Sequence, residues 1–155
     1  MGVSGSGKST FGKLWAAERG IPFVDGDDFH PEANIQKMAS GQALNDQDRQ
    51  GWLEAIHQYV LPFARTSGIV VACSALKNQY RTLLSRGLER QVVWVYLHGS
   101  FELILQRMQD RSEHFMPAAL LQSQFDTLEI PKDAIILDIR ESPTLLIHYL
   151  ENQLA

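Results

Sequence analysis

Residues 2–9 read GVSGSGKS, which matches the phosphate-binding pattern G-x-x-x-x-G-K-[S/T]. Glycines in such a loop let the backbone curl until successive N–H groups point inward and cradle phosphate oxygens. A helix that follows the loop directly strengthens this attraction, because the N-terminal end of the helix dipole is positive. The apolar residues Phe11, Leu14 and Trp15 recur at helical spacing and predict that helix over 8–19. The sequence therefore predicts nucleotide-phosphate binding at this end of the chain.

Individual residues of this P-loop (residues 2–9) have distinct expected roles. Lys8 can reach the β- and γ-phosphates, and the Ser9 hydroxyl is placed to bind Mg²⁺. The alternative is a flexible Gly/Ser terminus, and the amphipathic helix that follows argues against it. The residues predicted to contact the nucleotide here are Gly2, Val3, Ser4, Gly5, Ser6, Gly7, Lys8, Ser9 and Thr10.

Apolar runs alternate with helical patterns along the rest of the chain. Continuous apolar runs are typical of strands covered on both faces, and their alternation with helices indicates an α/β fold with a parallel sheet. Pro62 is expected to kink or end the third helix. Strands are predicted at 21–24, 69–73, 92–97 and 134–139, and helices at 8–19, 31–39, from Asp46 as N-cap, 76–84, 100–111, 117–128 and after Ser142.

Composition narrows the functional class. The 155 residues are 45% hydrophobic, which predicts one domain with a substantial core. A net charge of −4 argues against general nucleic-acid binding, which requires a basic face. The one cysteine, Cys73, lies in an apolar run and is expected to be a buried thiol in a reducing compartment. No signal peptide or membrane span is recognisable, so the protein is predicted to be soluble and cytoplasmic.

A second motif, FVDGDDFHPEANIQKM, follows the first predicted strand. Asp25 and Asp27 stand at the carboxyl end of that strand, where α/β folds place their ligands. Such carboxylates can hold Mg²⁺ or deprotonate an attacking hydroxyl, and the alternative is an ordinary acidic turn. His30, Asn34 and Lys37 are spaced to share one helix face. That face is suited to a polyhydroxylated, anionic small molecule, although a solvated surface would show the same spacing.

Four segments together resemble the gluconate kinases of the shikimate-kinase-like P-loop group. These segments are GVSGSGKS, DGDDFHPEANIQKMASGQALNDQDRQGWL, CSALKNQYR and HFMPAALLQSQFDTLE, in the expected order across nearly the whole chain. The resemblance implies a three-layer α/β/α kinase domain over residues 1–155. It also implies transfer of the γ-phosphoryl group of ATP to the 6-hydroxyl of D-gluconate with Mg²⁺, and a homodimer.

The resemblance also implies roles for single residues. Asp25 would support the metal through water, and Asp27 would orient or deprotonate the acceptor hydroxyl. The cations Arg49, Lys77 and Arg81 would pair with the gluconate carboxylate or a phosphate, although surface cations are the default explanation for such residues.

The same family pattern places a mobile lid at about 111–117. Arg111 would stabilise charge on the transferred group, and Arg107 would join it in nucleotide binding, although both also suit a helix C-terminus. His114 is expected either to contact substrate or to pack within the lid. Glu113 stands where the family usually has glycine, so this lid is expected to be stiffer or differently charged.

In this family the strand before the P-loop is central in the sheet, yet no residues precede Met1 to form one. Omitting it would bury unpaired backbone groups on both neighbouring strands, at roughly 1–3 kcal/mol each. A domain has only about 5–15 kcal/mol of net stability. We therefore expect a sheet without its first strand, and a natural chain that starts several residues upstream.

Two other functions fit parts of this pattern. A related kinase could act on another acceptor, such as shikimate or a nucleoside monophosphate, because pockets diverge readily on one fold. A non-catalytic module could bind nucleotide for structure or regulation. Measurable γ-phosphoryl transfer to a panel of acceptors separates all three.

Overall fold

The computed structural model describes residues 1–110 and 117–155. Within these residues, short strands alternate with helices in the predicted order. The strands are β1 Phe23–Asp25, β2 Val70–Ala72, β3 Val95–His98 and β4 Ile135–Asp138. The α-helices are α1 Lys8–Arg19, α2 Glu32–Ala39, α3 Asp46–Ala64, α4 Asn78–Ser85, α5 Phe101–Gln109, α6 Ala118–Thr127 and α7 Pro143–Leu154, and a 3₁₀ turn covers Gly26–Phe29. No helix in these two ranges is long and apolar enough to cross a membrane.

The strands pair in parallel, as predicted from the alternation of strands and helices. β1 pairs with β2, with Phe23 opposite Val70. β3 pairs with β4, with Val95 opposite Ile135. Parallel pairing requires a crossover between the paired strands, and the helices between them supply it. The α/β fold class is therefore confirmed.

The first two residues of the chain lie between β2 and β3. The Met1 amine donates a 2.5 Å hydrogen bond to the Val95 carbonyl, and the Leu97 amide donates to the Met1 carbonyl at 3.0 Å. The Gly2 amide donates to the Ser74 carbonyl at 3.2 Å. Beyond Met1, an apolar groove of about 350 Å³ runs between the two strand pairs. In the described residues, α1 is the first element and the P-loop leads directly into it.

Two hydrophobic clusters position the P-loop. Val3 is 2% exposed and belongs to the cluster that contains Ile104 and Leu121. Met1 belongs to the other cluster, which is centred on Trp52 and Ile56. The start of the loop is therefore anchored in the core on both sides. Cys73 is buried, as predicted, and burial raises the pKa of its thiol to about 11.

Two predicted helix boundaries near the site are wrong by one or two residues. Asn45, not Asp46, is the N-cap of α3, because the Asn45 and Asp48 side chains each accept a hydrogen bond from the other's backbone N–H. α4 begins at Asn78, so Lys77 precedes the helix as its N-cap. Pro62 lies in the last turn of α3, which ends two residues later, as expected for a proline that kinks or ends the helix.

Candidate active site

The P-loop adopts the tight curl that its glycines permit. Gly5 and Gly7 have φ values of 77° and 94°, which side-chain-bearing residues rarely adopt. α1 begins directly after Gly7. The Lys8 ammonium donates a 3.0 Å hydrogen bond to the Val3 carbonyl across the loop. Burial lowers the pKa of Lys8, and the carboxylates of Asp27 and Asp25 partly oppose this effect. Lys8 is thus held over the loop whose amides are predicted to bind phosphate.

Ser9 and Asp25 meet at the start of α1. The Ser9 hydroxyl donates a hydrogen bond to the Asp25 carboxylate, although 16 residues separate them. A hydroxyl and a carboxylate side by side form an oxygen donor set of the kind that Mg²⁺ binds together with phosphate oxygens and water. These residues therefore fit the predicted metal site. No group of three or more His, Cys, Asp or Glu suited to a metal occurs within 1–110 and 117–155.

Asp27 and His30 lie one turn beyond Asp25. Asp25 caps the 3₁₀ turn by accepting a 3.1 Å hydrogen bond from the Asp27 amide. Desolvation raises the pKa of Asp27 and Lys8 lowers it, while water screens both effects because 76% of this side chain is exposed. The His30 Nε2 atom is 3.9 Å from the Asp27 carboxylate. Burial lowers the pKa of His30, which favours a neutral imidazole at neutral pH.

His30 precedes α2 instead of lying on it, so the expected single helix face is wrong in this detail. The residue still contacts Asn34, whose Nδ2 atom is 3.3 Å from the His30 ring. Asn34 is 4% exposed and also donates to the Asp48 carbonyl at 2.8 Å. Lys37 forms a 2.6 Å ion pair with Asp48. This pair neutralises the positive charge of Lys37, which the sequence analysis assigns to substrate binding.

The remaining candidate cations cluster where α3 and α4 begin. Lys77 forms a 2.7 Å ion pair with Asp46, which also accepts a hydrogen bond from the Tyr80 hydroxyl. These bonds lower the pKa of Asp46 to about 2. Arg49 donates through Nη1 to the Leu44 carbonyl at 2.6 Å and to the Tyr80 hydroxyl at 3.2 Å. Arg49 and Lys77 both lie over the ring of Tyr80 and are therefore close together. Lys77 is in addition paired with Asp46.

Arg81 lies in α4 and contacts the loop that precedes this helix. It is 6% exposed, and its Nη1 atom donates to the carbonyls of Ala75 and Leu76 at 2.9 and 3.1 Å. Ala75 has a positive φ of 43°, which is unusual for a residue with a side chain. The bonds from Arg81 stabilise this turn. Its pairing with a substrate anion stays a prediction.

The nucleotide-side arginines are described only in part. Arg107 donates a 2.6 Å hydrogen bond to the Ile139 carbonyl, just after β4. Its contact with nucleotide stays a prediction. Arg111 and His114, and with them most of the predicted lid over 111–117, lie outside the described residues.

The structure adds two site residues that the sequence analysis missed. The indole of Trp52, on the buried side of α3, donates a 2.6 Å hydrogen bond to the Gly26 carbonyl, between the two site carboxylates. Gln124 of α6 accepts a 2.6 Å hydrogen bond from the Ser4 amide of the P-loop. Both contacts span many residues along the chain, so no local spacing reveals them.

Comparisons with known proteins agree with this geometry. The family profile described as shikimate kinase matches residues 4–132. The chain is 48% identical over 145 residues to the thermosensitive gluconokinase of Escherichia coli K12, covering 90% of this chain and 76% of the relative. It is 44% identical over 134 residues to the gluconokinase of Gluconobacter oxydans, covering 86% and 75% of the two chains.

Solved structures give the same result. A gluconokinase from Sinorhizobium meliloti superposes with a TM-score of 0.86 at 40% identity, covering 99% of this chain and 92% of the other. A sugar kinase from Janibacter superposes with a TM-score of 0.91 at 42% identity, covering 99% and 91%. Since the family profile spans most of the chain and close relatives match over most of their own length, this chain belongs to the gluconokinase group of the shikimate kinase family.

Proposed function

We propose that this chain transfers the γ-phosphoryl group of ATP to the 6-hydroxyl of D-gluconate and releases ADP and 6-phosphogluconate. The observation that carries the proposal is the 48% identity to a gluconokinase over 90% of the chain. The placement of Asp27 beside the P-loop supports it, because Lys8 and Asp27 lie close enough to influence each other's pKa.

On the donor side, the chain binds and neutralises phosphate. The P-loop amides and Lys8 hold the β- and γ-phosphates, which positions the γ-phosphorus for in-line attack. Ser9 and Asp25 would hold Mg²⁺, directly or through water. When bound, the cation neutralises charge on the phosphate oxygens.

On the acceptor side, Asp27 accepts the proton of the 6-hydroxyl as that oxygen attacks phosphorus. Lys8 favours the ionised carboxylate that this role requires. His30 is held by Asn34 and by stacking on Trp52, and it orients the acceptor through a hydrogen bond. The imidazole is thus fixed in place before substrate arrives.

The gluconate carboxylate requires a cation, and Arg49 suits this role better than the lysines. Lys37 and Lys77 are each paired with an aspartate. The bonds of Arg49 to Leu44 and Tyr80 use Nη1, and neither partner is charged at neutral pH. We assign Nη2 and Nε of Arg49 to the carboxylate, because a guanidinium binds carboxylates through two parallel donors.

Three further residues have roles in this reaction: Arg107 binds the nucleotide, Arg111 stabilises charge on the transferred group, and His114 contacts the substrate or packs within the lid. We also propose that the reaction requires Mg²⁺, that the protein forms a homodimer and that it is located in the cytoplasm. Light scattering of the purified chain tests the dimer, and chelation of Mg²⁺ in the assay tests the metal.

A coupled assay for ADP release with ATP, Mg²⁺ and D-gluconate tests the reaction. Lys8→Ala should abolish turnover, whereas Lys13→Ala, on the exposed side of the same helix, should retain it. Shikimate and a nucleoside monophosphate serve as competing acceptors. ATP binding without transfer to any acceptor would favour a binding module, and transfer to another acceptor would reassign the substrate.

A further inference from the structure

Gln124 is the polar side chain that links α6 to the P-loop. Its Oε1 atom accepts a 2.6 Å hydrogen bond from the Ser4 amide. Backbone and packing contacts also hold the first half of the loop: Gly2 donates to the Ser74 carbonyl, and a side chain at Gly5 would meet Met108 of α5 at 2.7 Å. Gln124 therefore supplies a side-chain hydrogen bond to the first half of the loop.

α6 itself is firmly placed. Leu121 is fully buried, and the ring of Phe125 packs edge-on against Phe101 at 5.7 Å. Just beyond the helix, Glu129 donates its amide to the Leu76 carbonyl at 2.9 Å and accepts from the Asn78 amide at 2.6 Å. α6 thus spans from the P-loop to the loop before α4. Gln124 is presented to Ser4 from a fixed support.

The contact acts on one peptide unit with two functions. The Ser4 N–H and the Val3 carbonyl belong to the same planar trans peptide, so they point in opposite directions. Gln124 accepts from the N–H, while the carbonyl accepts from Lys8 Nζ at 3.0 Å and from the Ser6 amide at 3.3 Å. Fixing one end of this peptide fixes the other. The orientation of the Val3 carbonyl, and with it the position of Lys8, therefore depends on Gln124.

We propose that Gln124 is a positioning residue for phosphoryl transfer, which acts on Lys8 through the Val3–Ser4 peptide. This inference rests on the proposed function, because it requires the P-loop and Lys8 to bind the phosphates of ATP. Gln124 touches neither reactant in this scheme. Its loss lets the peptide rotate, so that Lys8 spends less time where the phosphates bind.

A double-mutant cycle on nucleotide binding tests the link to Lys8. Gln124→Met removes the acceptor and keeps the length and helix propensity of the side chain. We expect it to weaken binding of the β,γ-imido analogue of ATP five- to tenfold by calorimetry. In a Lys8→Ala background the same change should weaken binding less than twofold, because the group being positioned is gone. KM for ATP should rise while KM for gluconate stays within twofold.

Gln122→Met is the matched control. Gln122 is exposed on the same helix and bonds to Asp126, so its variant should bind the analogue normally. Equal weakening by Gln124→Met in both backgrounds, unchanged binding or tighter binding would each overturn the inference. Gln124→Leu replaces the Met variant if the latter loses cooperative unfolding. Failure of the unmodified chain to bind the analogue would instead overturn the proposed function.

Discussion

The indole of Trp52 stacks on the imidazole of His30, with 4.2 Å between ring centroids and 14° between planes. The same indole donates a 2.6 Å hydrogen bond to the Gly26 carbonyl. Gly26 approaches β2 so closely that a side chain there would meet the Ala72 carbonyl at 2.9 Å. Trp52, which is 1% exposed, thus holds both His30 and the turn that carries Asp27 from the interior of the protein.

Trp52→Phe is expected to separate this support from simple burial. Phenylalanine keeps a stacking ring but leaves the Gly26 carbonyl without its donor, which costs roughly 1–3 kcal/mol. In a chain of this size each kcal/mol lowers Tm by about 2–4 °C. We also expect KM for gluconate to rise several-fold while ATP affinity is retained, because His30 and Asp27 shift together.

Trp15→Phe is the control for that measurement. The Trp15 indole also donates a 2.6 Å hydrogen bond, to Glu151 of α7, away from the acceptor side. Its loss should lower Tm with KM for gluconate unchanged. If both variants leave KM unchanged, Trp52 contributes to stability alone.

The ion pair between Asp46 and Lys77 predicts an unusual titration. Hydrogen bonds from Lys77 and Tyr80 lower the pKa of Asp46 from 3.8 to about 2. The lowered pKa means that the pair stabilises the fold above pH 3.8 and that this contribution is lost as pH falls through 2. Carboxyl NMR should give a midpoint near 2, and Lys77→Met should move it towards 3.8. Lys132→Met, at an exposed lysine that is not among the groups that shift the pKa of Asp46, should leave it unchanged.

The sequence predicts the local features of the site well. The P-loop depends on its glycines, α1 on the helical spacing of apolar residues, and β1 on a short apolar run that ends at Asp25. Each of these signals is visible within a few residues of the sequence. The partners of the cations are not visible in this way. Lys77 binds Asp46 across 31 residues and Lys37 binds Asp48 across 11, so no local spacing in the sequence reveals either ion pair.

Trp52 shows a second limit of sequence analysis. Its burial agrees with the helical spacing of the apolar residues Trp52, Ile56 and Val60 along α3. Its hydrogen bond depends on a partner 26 residues away, in a turn whose position is set by the pairing of β1 with β2. Spacing within a helix predicts which face is buried, but it does not predict the polar group that a buried indole meets.

Extending the chain at Met1 tests the apolar groove between β2 and β3. Four apolar β-branched residues added there can pair with both strands and fill the groove, and we expect them to raise Tm. A Gly/Ser extension of equal length buries little apolar surface, so it should give a smaller gain in Tm. Equal Tm values for the two extensions would show that the groove does not accept a strand.

Asp27→Asn tests the acceptor chemistry directly. The amide keeps the size of the side chain but cannot accept the hydroxyl proton, so kcat should fall by about 10²–10⁴-fold, the usual contribution of a general base. Nucleotide binding should persist.

The pH profile gives a second test of Asp27. Desolvation raises the pKa of Asp27 above 3.8, so kcat/KM of the unmodified chain should fall as pH drops through that raised value. This acid limb should be absent from the residual activity of the variant. Asp28→Asn, at the exposed neighbouring carboxylate, should retain both the rate and the acid limb. A variant at position 27 with full turnover would reassign the base to another group.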